Sequence, residues 1–402
     1  MRLQPTHWLL ADQAVVSGCN FLVGLLLARF LGVHGFGQWT LVLGVVLYIN
    51  TIAGALIWLP MLTIVPSMGE PDDGRRFILG ALACQLQLAG VLAALVGAGA
   101  WLMSSLEPEW FNERLVLGLV GVSLAFQLQE WVRRACFAVR HAAPAFWMDL
   151  LTYGGQVLCV CALQQAGMLD IGSALLGIAM AYLAGFVLGL LFTRWRPDWS
   201  GWRLAWRKLL AMGRSYLFGE QTQWVGTAGL LYVAAHLVGP QAAGAVRAVQ
   251  GLLGPTNVLF QAFNNLVQPQ SAAAHLTGGR PALNALLMKV GWQFGVPLGL
   301  GLLVLSVMGN EAMALAFGSD YARYGGLVGW QCAQVALTFV WLLFMCKVRT
   351  VGRPAHIFLS GSVQAGVSVG AVLLLAPVFA ESGVLVASGL GLLAALVVLW
   401  KC

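Results

Sequence analysis

Charged side chains are scarce in this sequence of 402 residues. Only 9% of the residues are Asp, Glu, Lys or Arg, whereas 59% are hydrophobic. A soluble domain carries roughly 25% charged residues, so this chain cannot cover a water-facing surface. The scarcity excludes an ordinary soluble protein and predicts that lipid is the solvent for most of the chain. No long block is polar enough to form a separate extramembrane domain.

Sequence signatures of enzymes are also missing. There is no Gly-rich nucleotide-binding loop and no G-x-S-x-G element. The 8 cysteines are scattered, and the pair Cys159 and Cys161 has no His or Cys partners nearby. We therefore expect no catalytic residues, no metal site and no cofactor, and a function other than catalysis.

The positive charge is distributed as it is in membrane proteins. The formal net charge is +7, but the basic residues fall in alternate short loops, such as those that hold Arg75, Arg133 and Arg203. The intervening loops carry acidic residues such as Glu107 and Asp170. We expect an inner-membrane protein, and the positive-inside rule then predicts that both of its termini are in the cytoplasm. The same distribution argues against a nucleic-acid partner.

Apolar windows long enough to cross a bilayer recur along the whole chain. They predict an all-α polytopic membrane protein with about 12 transmembrane helices. The windows lie near residues 8–31, 37–66, 77–103, 115–136, 144–166, 171–193, 209–238, 241–268, 283–308, 323–346, 355–378 and 383–400.

An internal repeat divides these helices into two sets. Residues 28–37 (ARFLGVHGFG) match residues 235–244 (AHLVGPQAAG), and residues 139–146 match residues 348–356 at nearly the same offset. Six helices per set give both sets the same membrane orientation, which is a parallel repeat. Ligand sites in such folds lie between the repeats, so we expect the substrate there.

The repeat predicts three regions. These are an N-terminal six-helix bundle over 1–193, a cytoplasmic amphipathic linker over 194–208 and a C-terminal six-helix bundle over 209–402. The linker carries four tryptophans at helical spacing with Arg and Lys between them: Trp195, Trp199, Trp202 and Trp206. This pattern predicts a helix at the membrane interface. A basic loop with an aromatic belt is the alternative.

The eighth predicted helix carries a polar stripe. Its members recur in steps of three and four and so share one helical face: Arg247, Gln250, Gly254, Asn257, Gln261, Asn264 and Gln268. Polar side chains in hydrocarbon are costly, so the stripe either lines a wet cavity or bonds to neighbouring helices. We expect a cavity, and we expect Pro255 to bend the helix.

Further cavity candidates lie near the repeat motifs. Gln13 and Asn20 form a shorter stripe on the first helix, for which close helix packing is the alternative. Arg29, with its repeat partner His236, could bind phosphate. An arginine that reaches the interface without a ligand is the alternative for Arg29.

Two acidic residues inside predicted helices are candidates for proton or sodium coupling. Asp12 and Glu220 occupy nearly corresponding positions in the repeat. A structural pair with an arginine is the alternative for Glu220. Glu130 precedes Arg133 and Arg134 by three and four residues, which predicts a local salt bridge.

Three short motifs resemble one transporter family. They are Ala28, Arg29, Leu31, Gly32 and Gly37 in the first helix, the segment 317–321 (FGSDY) and the stretch 352–354 (GRP). These motifs resemble the polysaccharide-transporter branch, which includes the O-antigen flippases, of the multidrug/oligosaccharidyl-lipid/polysaccharide (MOP) exporter superfamily. The resemblance spans nearly the whole chain in helix number and spacing.

The resemblance implies a V-shaped pair of six-helix bundles that moves an undecaprenyl-pyrophosphate-linked oligosaccharide across the inner membrane by alternating access. It implies that Arg29 and Arg247 are cavity cations. The lipid-linked oligosaccharide, membrane lipids and other glycan-assembly proteins are the implied partners. Relatives that flip lipid II have two extra C-terminal helices, so the expected substrate is an O-antigen or exopolysaccharide repeat unit.

Three other functions compete with a flippase. An ion-coupled multidrug antiporter of the same superfamily would use an intramembrane carboxylate such as Glu220, although cavity arginines would repel cationic drugs. A membrane-embedded glycan polymerase or ligase would need a large outer loop, and none is present. A non-transporting assembly subunit would not need the polar stripe.

Overall fold

The computed structural model describes residues 5–68, 70–107, 110–139, 141–352 and 354–400. Both chain ends lie outside these ranges, as does Arg353 of the 352–354 motif. Within the ranges, the only regular elements are helices. This is the structure that a lipid solvent requires, because a helix satisfies its own backbone hydrogen bonds.

The α-helices follow one another with short connections. They are α1 (Pro5–Ala53), α2 (Leu59–Ser67), α3 (Pro71–Leu106), α4 (Glu113–Ala138), α5 (Ala142–Gln165), α6 (Ile171–Thr193), α7 (Trp202–Gly226), α8 (Gly229–Leu237), α9 (Pro240–Leu252), α10 (Pro255–Val307), α11 (Gly309–Phe317), α12 (Gly325–Val351) and α13 (Pro354–Trp400). A π-helix (Gly54–Trp58) joins α1 to α2, and a 3₁₀-helix (Ser319–Tyr324) precedes α12.

Several of the longest helices are two membrane-length segments in succession. Eight helices of the described residues are long and apolar enough to cross a membrane. Non-helical backbone at Gly32, at Gly278 and Gly279, and at Ala380 divides three of them. The stretch of α7 and α8 is not among those eight helices, but it lies where the apolar window 209–238 predicts a further segment. With this stretch counted, the described residues have twelve segments, in agreement with the apolar windows.

The chain divides into two compact units. The N-terminal unit contains the residues up to Phe30 together with Val42–Gln221, and the C-terminal unit contains Leu31–Leu41 together with the residues from Thr222 onward. The boundaries therefore differ from the predicted divisions at 193 and 209. Residues 31–41 pack with the C-terminal unit, and residues 194–221 pack with the N-terminal unit.

The connector after α6 is only partly helical. Trp195 and Trp199 lie in irregular chain, whereas Trp202 and Trp206 lie in the first turns of α7, so a single helix through all four tryptophans does not form. Trp195, Trp202 and Trp206 pack against the apolar core of the N-terminal unit. The Trp206 indole N–H donates to Gln87 Oε1 at 2.9 Å. These contacts explain why the connector belongs to this unit.

The internal repeat is confirmed by backbone geometry within the C-terminal unit. Gly32 and Gly239, which correspond in the repeat, both have positive φ (67° and 118°) with extended ψ. A Cβ at Gly37 would collide with the Pro240 carbonyl oxygen, and a Cβ at Gly244 would collide with the Val33 carbonyl oxygen. The contact is reciprocal between corresponding residues, so glycine is required at both positions.

Small residues also set the packing of the N-terminal unit. Helix α4 packs against α6, and α5 packs against α6. A Cβ on Gly118 would lie 2.8 Å from Leu175 Cβ and 2.9 Å from the Gly172 carbonyl oxygen. Close approach of two backbones through small residues is typical of helix association in membranes.

We predict that Gly118→Ala destabilises the protein by about 1–3 kcal/mol, because the added methyl group must push α4 away from α6. Gly154→Ala in α5 is the matched control, since among the described residues its added Cβ meets no atom within 4 Å outside its own stretch of helix backbone. Thermal unfolding in detergent measures both. Equal melting temperatures for the two variants would show that the α4–α6 contact tolerates the methyl group.

A candidate site in the N-terminal unit

A cavity of about 420 Å³ lies within the N-terminal unit. Its apolar and amide walls come from α1, the π-helix, α2, α4 and α5, and its charged groups come from α4 and α7. The side chains that line it include Asn50, Thr51, Trp58, Phe126, Glu130, Arg133, Arg134, Tyr153 and Glu220. The cavity is therefore amphipathic, with two arginines and two glutamates among its lining residues.

The π-helix shapes one wall of this cavity. Gly54, Ala55 and Trp58 all line it, and the Trp58 indole N–H donates to Gln85 Oε1 at 2.9 Å. A π-turn inserts one extra residue into a helix and re-aims the side chains around it, which is frequent at functional sites. The sequence gives no periodicity signal for this turn.

A buried arginine organises the neighbouring charges. Arg133 Nη2 donates to Asp12 Oδ2 at 2.9 Å, and its Nη1 donates to Glu130 Oε1 at 3.4 Å. Arg133 Nε lies 2.6 Å from Asp149 Oδ2. The N–H direction does not satisfy hydrogen-bond geometry, so the contact with Asp149 is an ion pair. One guanidinium thus holds carboxylates from three helices, α1, α4 and α5.

Two further contacts complete this charge cluster, which we define as Asp12, Glu130, Arg133, Arg134 and Asp149. Arg134 Nε donates to Glu130 Oε1 at 2.6 Å. The Gln129 amide donates to Asp149 Oδ1 at 2.6 Å.

The charge cluster contains more carboxylates than arginines. Asp12 and Asp149 contact Nη2 and Nε, which form one edge of the guanidinium, so the two carboxylates lie side by side. Two carboxylates this close repel each other, and the guanidinium between them offsets that repulsion. Within the described residues, Asp12 Oδ1 accepts no hydrogen bond, so Asp12 is held through Oδ2 alone. The cluster therefore has one formal negative charge more than its two arginines balance.

The cluster lies at one level along the helices. Asp12 is seven residues from the start of α1, Asp149 is seven residues from the start of α5, and Arg133 is five residues from the end of α4. These helix ends share the side that the loop charges predict to be cytoplasmic. At 1.5 Å per residue, the cluster lies roughly 10 Å inside that end.

The sequence predicted parts of this cluster. The local pairing of Glu130 with Arg133 and Arg134 is confirmed. Asp12 pairs with Arg133, a contact that the sequence did not reveal. Glu220 lines the cavity beside the cluster and is half-buried. A salt bridge is also the default expectation for Asp149, a carboxylate in an apolar window, and the structure identifies its partner as Arg133.

The other N-terminal candidates lie outside the cluster. The Gln13 amide donates to Ser17 Oγ at 2.9 Å within α1. Asn20 and Arg29 are exposed on the same helix.

The remaining candidates belong to the C-terminal unit. His236, Arg247, Asn257 and Gln261 are exposed, whereas Gln250 and Asn264 are partly buried. The helix is interrupted between α9 and α10, immediately before Pro255, as the sequence predicts. The Gln268 amide donates to Thr350 Oγ1 at 3.4 Å, so the end of the stripe bonds to a neighbouring helix.

We predict that Arg133→Gln destabilises the protein by about 3–5 kcal/mol, because it leaves buried carboxylates without their cation. Arg114→Gln is the control, since its ion pair with Asp170 spans 3.8 Å and both side chains are mostly exposed. Thermal unfolding of the purified variants measures the difference. A double variant, Arg133→Gln with Asp149→Asn, should recover part of the loss. No recovery would contradict the assigned pairing.

Comparison with known proteins identifies the fold. No protein-family model and no curated protein matches the sequence. Among solved structures, the inward closed conformation of the lipid II flippase MurJ matches with a TM-score of 0.74 at 9% identity, over 98% of this chain and 87% of that chain. An inward-facing multidrug resistance MATE family transporter of the MOP superfamily matches with a TM-score of 0.77 at 12% identity, over 99% of this chain and 97% of that chain.

A eukaryotic MATE transporter also matches, with a TM-score of 0.62 at 12% identity, over 98% of this chain and 95% of that chain. Identities this low establish the fold alone. The structural neighbours are transporters. The chain is therefore a multi-pass membrane protein with the fold of the MOP-superfamily transporters.

Proposed function

We propose that this protein is a flippase that moves an undecaprenyl-pyrophosphate-linked oligosaccharide, an O-antigen or exopolysaccharide repeat unit, across the bacterial inner membrane by alternating access. The lipid-linked oligosaccharide is its substrate and both termini are cytoplasmic. Other glycan-assembly proteins are its partners. The MurJ neighbour, whose description is lipid II flippase, supports a lipid-linked substrate.

The exposure of Arg247 is the main observation that supports the proposal. Its side chain is exposed on α9, and the next helix, α10, presents Asn257 and Gln261. An arginine on an apolar membrane helix is costly unless it faces water or an anionic ligand. Its planar fork matches phosphate oxygens better than an ammonium does. The amides along the stripe are suited to hydrogen-bond the hydroxyl groups of a glycan.

Two acidic residues support a proposal for the energy source of transport. We propose that Asp12 and Glu220 couple transport to a proton or sodium gradient. Asp12 belongs to a cluster with three carboxylates and two arginines, so one further positive charge balances it. Glu220 lines the adjoining cavity. Uptake of a cation at Asp12 weakens its pairing with Arg133, which is a local change that can bias two conformations.

An ion-coupled multidrug antiporter is the second candidate, and the same carboxylates favour it. Glu130 and Glu220 line a cavity with Trp58, Phe126 and Tyr153, a combination suited to a cationic aromatic molecule. MATE transporters are among the structural neighbours. Arg133 and Arg134 in the same cavity oppose binding of a cation, so we place this function second.

Deletion of the gene from its own bacterium tests the function. We expect loss of the surface glycan and accumulation of lipid-linked oligosaccharide on the cytoplasmic leaflet. A plasmid copy should restore the glycan. Normal surface glycan after deletion, together with raised drug sensitivity, would overturn the flippase in favour of the antiporter.

Variants of the plasmid copy test the assigned residues. Arg247→Ala should lower the restored glycan by about tenfold or more, since it removes a charge-assisted contact to phosphate. Arg114→Gln should restore glycan fully because Arg114 is exposed and pairs only at the surface. Full restoration by Arg247→Ala at equal expression would remove this residue from the substrate site.

The coupling residues need a separate readout. Purified protein in vesicles should transport lipid-linked oligosaccharide faster when a proton or sodium gradient is imposed. Asp12→Asn and Glu220→Gln should abolish the response to the gradient while transport without a gradient persists. An unchanged response in both variants would refute the coupling role.

A further inference from the structure

A second cavity, of about 510 Å³, lies in the C-terminal unit. It opens between the 3₁₀-helix, the start of α12 and the residues that follow the break at Ala380. Its lining includes Arg323, Tyr324, Leu327, Trp330, Glu381 and Ser382. None of these residues belongs to the transport site proposed above, and the cavity is at the end of the membrane-length segments opposite to the predicted cytoplasmic side.

Two opposite charges line this cavity without neutralising each other. Arg323 is exposed, and Glu381 is partly buried. Neither side chain lies within ion-pair distance of an opposite charge among the described residues. The Arg323 guanidinium instead lies 4.9 Å from the centre of the Tyr324 ring. Opposite charges held apart at one cavity are suited to a ligand that carries both signs.

The backbone holds Glu381 in place. Ala380 has φ of 48°, a conformation that residues other than glycine rarely adopt, and it separates two helical segments of α13. Glu381 therefore begins the last segment with its side chain at the cavity. Ser382 Oγ donates to the Phe379 carbonyl oxygen at 2.7 Å, so this hydroxyl can accept a hydrogen bond from a ligand but does not donate to it.

The surroundings of the cavity are those of a lipid boundary. Trp330 is 51% exposed, and Val378 and Phe379, on the segment that leads to the cavity, are 71% and 59% exposed. Exposed apolar side chains on a membrane-length helix face acyl chains, and tryptophan is enriched where the chains meet the headgroups. A ligand here has a charged head and an apolar body.

We propose that this cavity binds the headgroup of a phospholipid with a primary ammonium, namely phosphatidylethanolamine, from the outer leaflet. Arg323 donates to the phosphate oxygens, Glu381 accepts N–H hydrogen bonds from the ammonium, and Trp330 packs along the glycerol and upper acyl chains. An anionic lipid would leave Glu381 facing a neutral or negative group. A free sugar would leave the exposed apolar rim without a partner.

The roles proposed for Arg323 and Glu381 predict that two lipids bind with different affinity. Phosphatidylethanolamine and phosphatidylcholine both carry the phosphate, but only the former offers N–H donors. We expect the wild-type protein to retain phosphatidylethanolamine about tenfold more than phosphatidylcholine, which is the range of one charge-assisted hydrogen bond. Glu381→Gln should bring that ratio close to one. Arg323→Gln should lower retention of both lipids equally.

Native mass spectrometry of the full chain, purified in mixed micelles with equal amounts of phosphatidylethanolamine, phosphatidylcholine and phosphatidylglycerol, measures these ratios. Glu311→Gln and Arg114→Gln are the matched controls, because both residues are exposed and neither lines the cavity. Both controls should keep the wild-type ratio. If Glu381→Gln is not recovered as a monodisperse protein, Glu381→Ser replaces it.

Two results would overturn the proposal. One is a wild-type preference for phosphatidylglycerol or for no lipid, and the other is an unchanged ratio in both Glu381 variants. Neither result bears on the glycan phenotype of the gene deletion, so failure of this lipid site and failure of the flippase function are separable.

Discussion

The buried guanidinium of Arg133 is the interaction on which the N-terminal unit depends. It joins Asp12 of α1, Glu130 of α4 and Asp149 of α5, so three helices meet at one charge. In a lipid solvent, apolar packing does not by itself decide which helices are neighbours, because acyl chains are as apolar as leucine. A charge cluster does decide which helices are neighbours, because each of its charged side chains would be costly in contact with lipid. Glu130, Arg133 and Arg134 also line the adjoining cavity and make it polar.

The two halves of the repeat share a backbone feature but differ in their charged residues. The corresponding glycines Gly32 and Gly239 interrupt the helical backbone in the same way, with positive φ and extended ψ. At the offset of the second sequence match, Arg133 corresponds to Leu342 and Asp149 to Phe358, so two charged positions of the cluster have apolar counterparts. Asp12 differs, because its near counterpart is Glu220. The two halves of the repeat therefore differ in chemistry, and the buried ion pairs of α4 and α5 have no counterpart among the described residues of α12 and α13.

The fold could be predicted because it depends on composition and on the length of apolar runs, which can be read directly from the sequence. Scarce charge and recurring apolar windows predict the helices, and Pro255 predicts the break before α10. The charge cluster could not be predicted in the same way. Asp12 and Arg133 are 121 residues apart, and helical periodicity gives the face of a residue but not the helix that it faces. The π-helix and the packing of the connector depend on tertiary contacts, which periodicity does not encode.

The contact between Gly37 and Gly244 has a consequence for biosynthesis. Residues 31–41 pack with the C-terminal unit, and their partner around Pro240 is translated about 200 residues later. At roughly 5–20 residues per second, the early segment waits about 10 to 40 s in the translocation machinery or the bilayer before its partner exists. During that interval the glycine-lined face of the segment has only lipid or a chaperone to cover it. Insertion of the first helices and completion of the second unit are therefore coupled in time. A nascent chain stalled before Pro240 would expose the face of residues 31–41 before its partner is made.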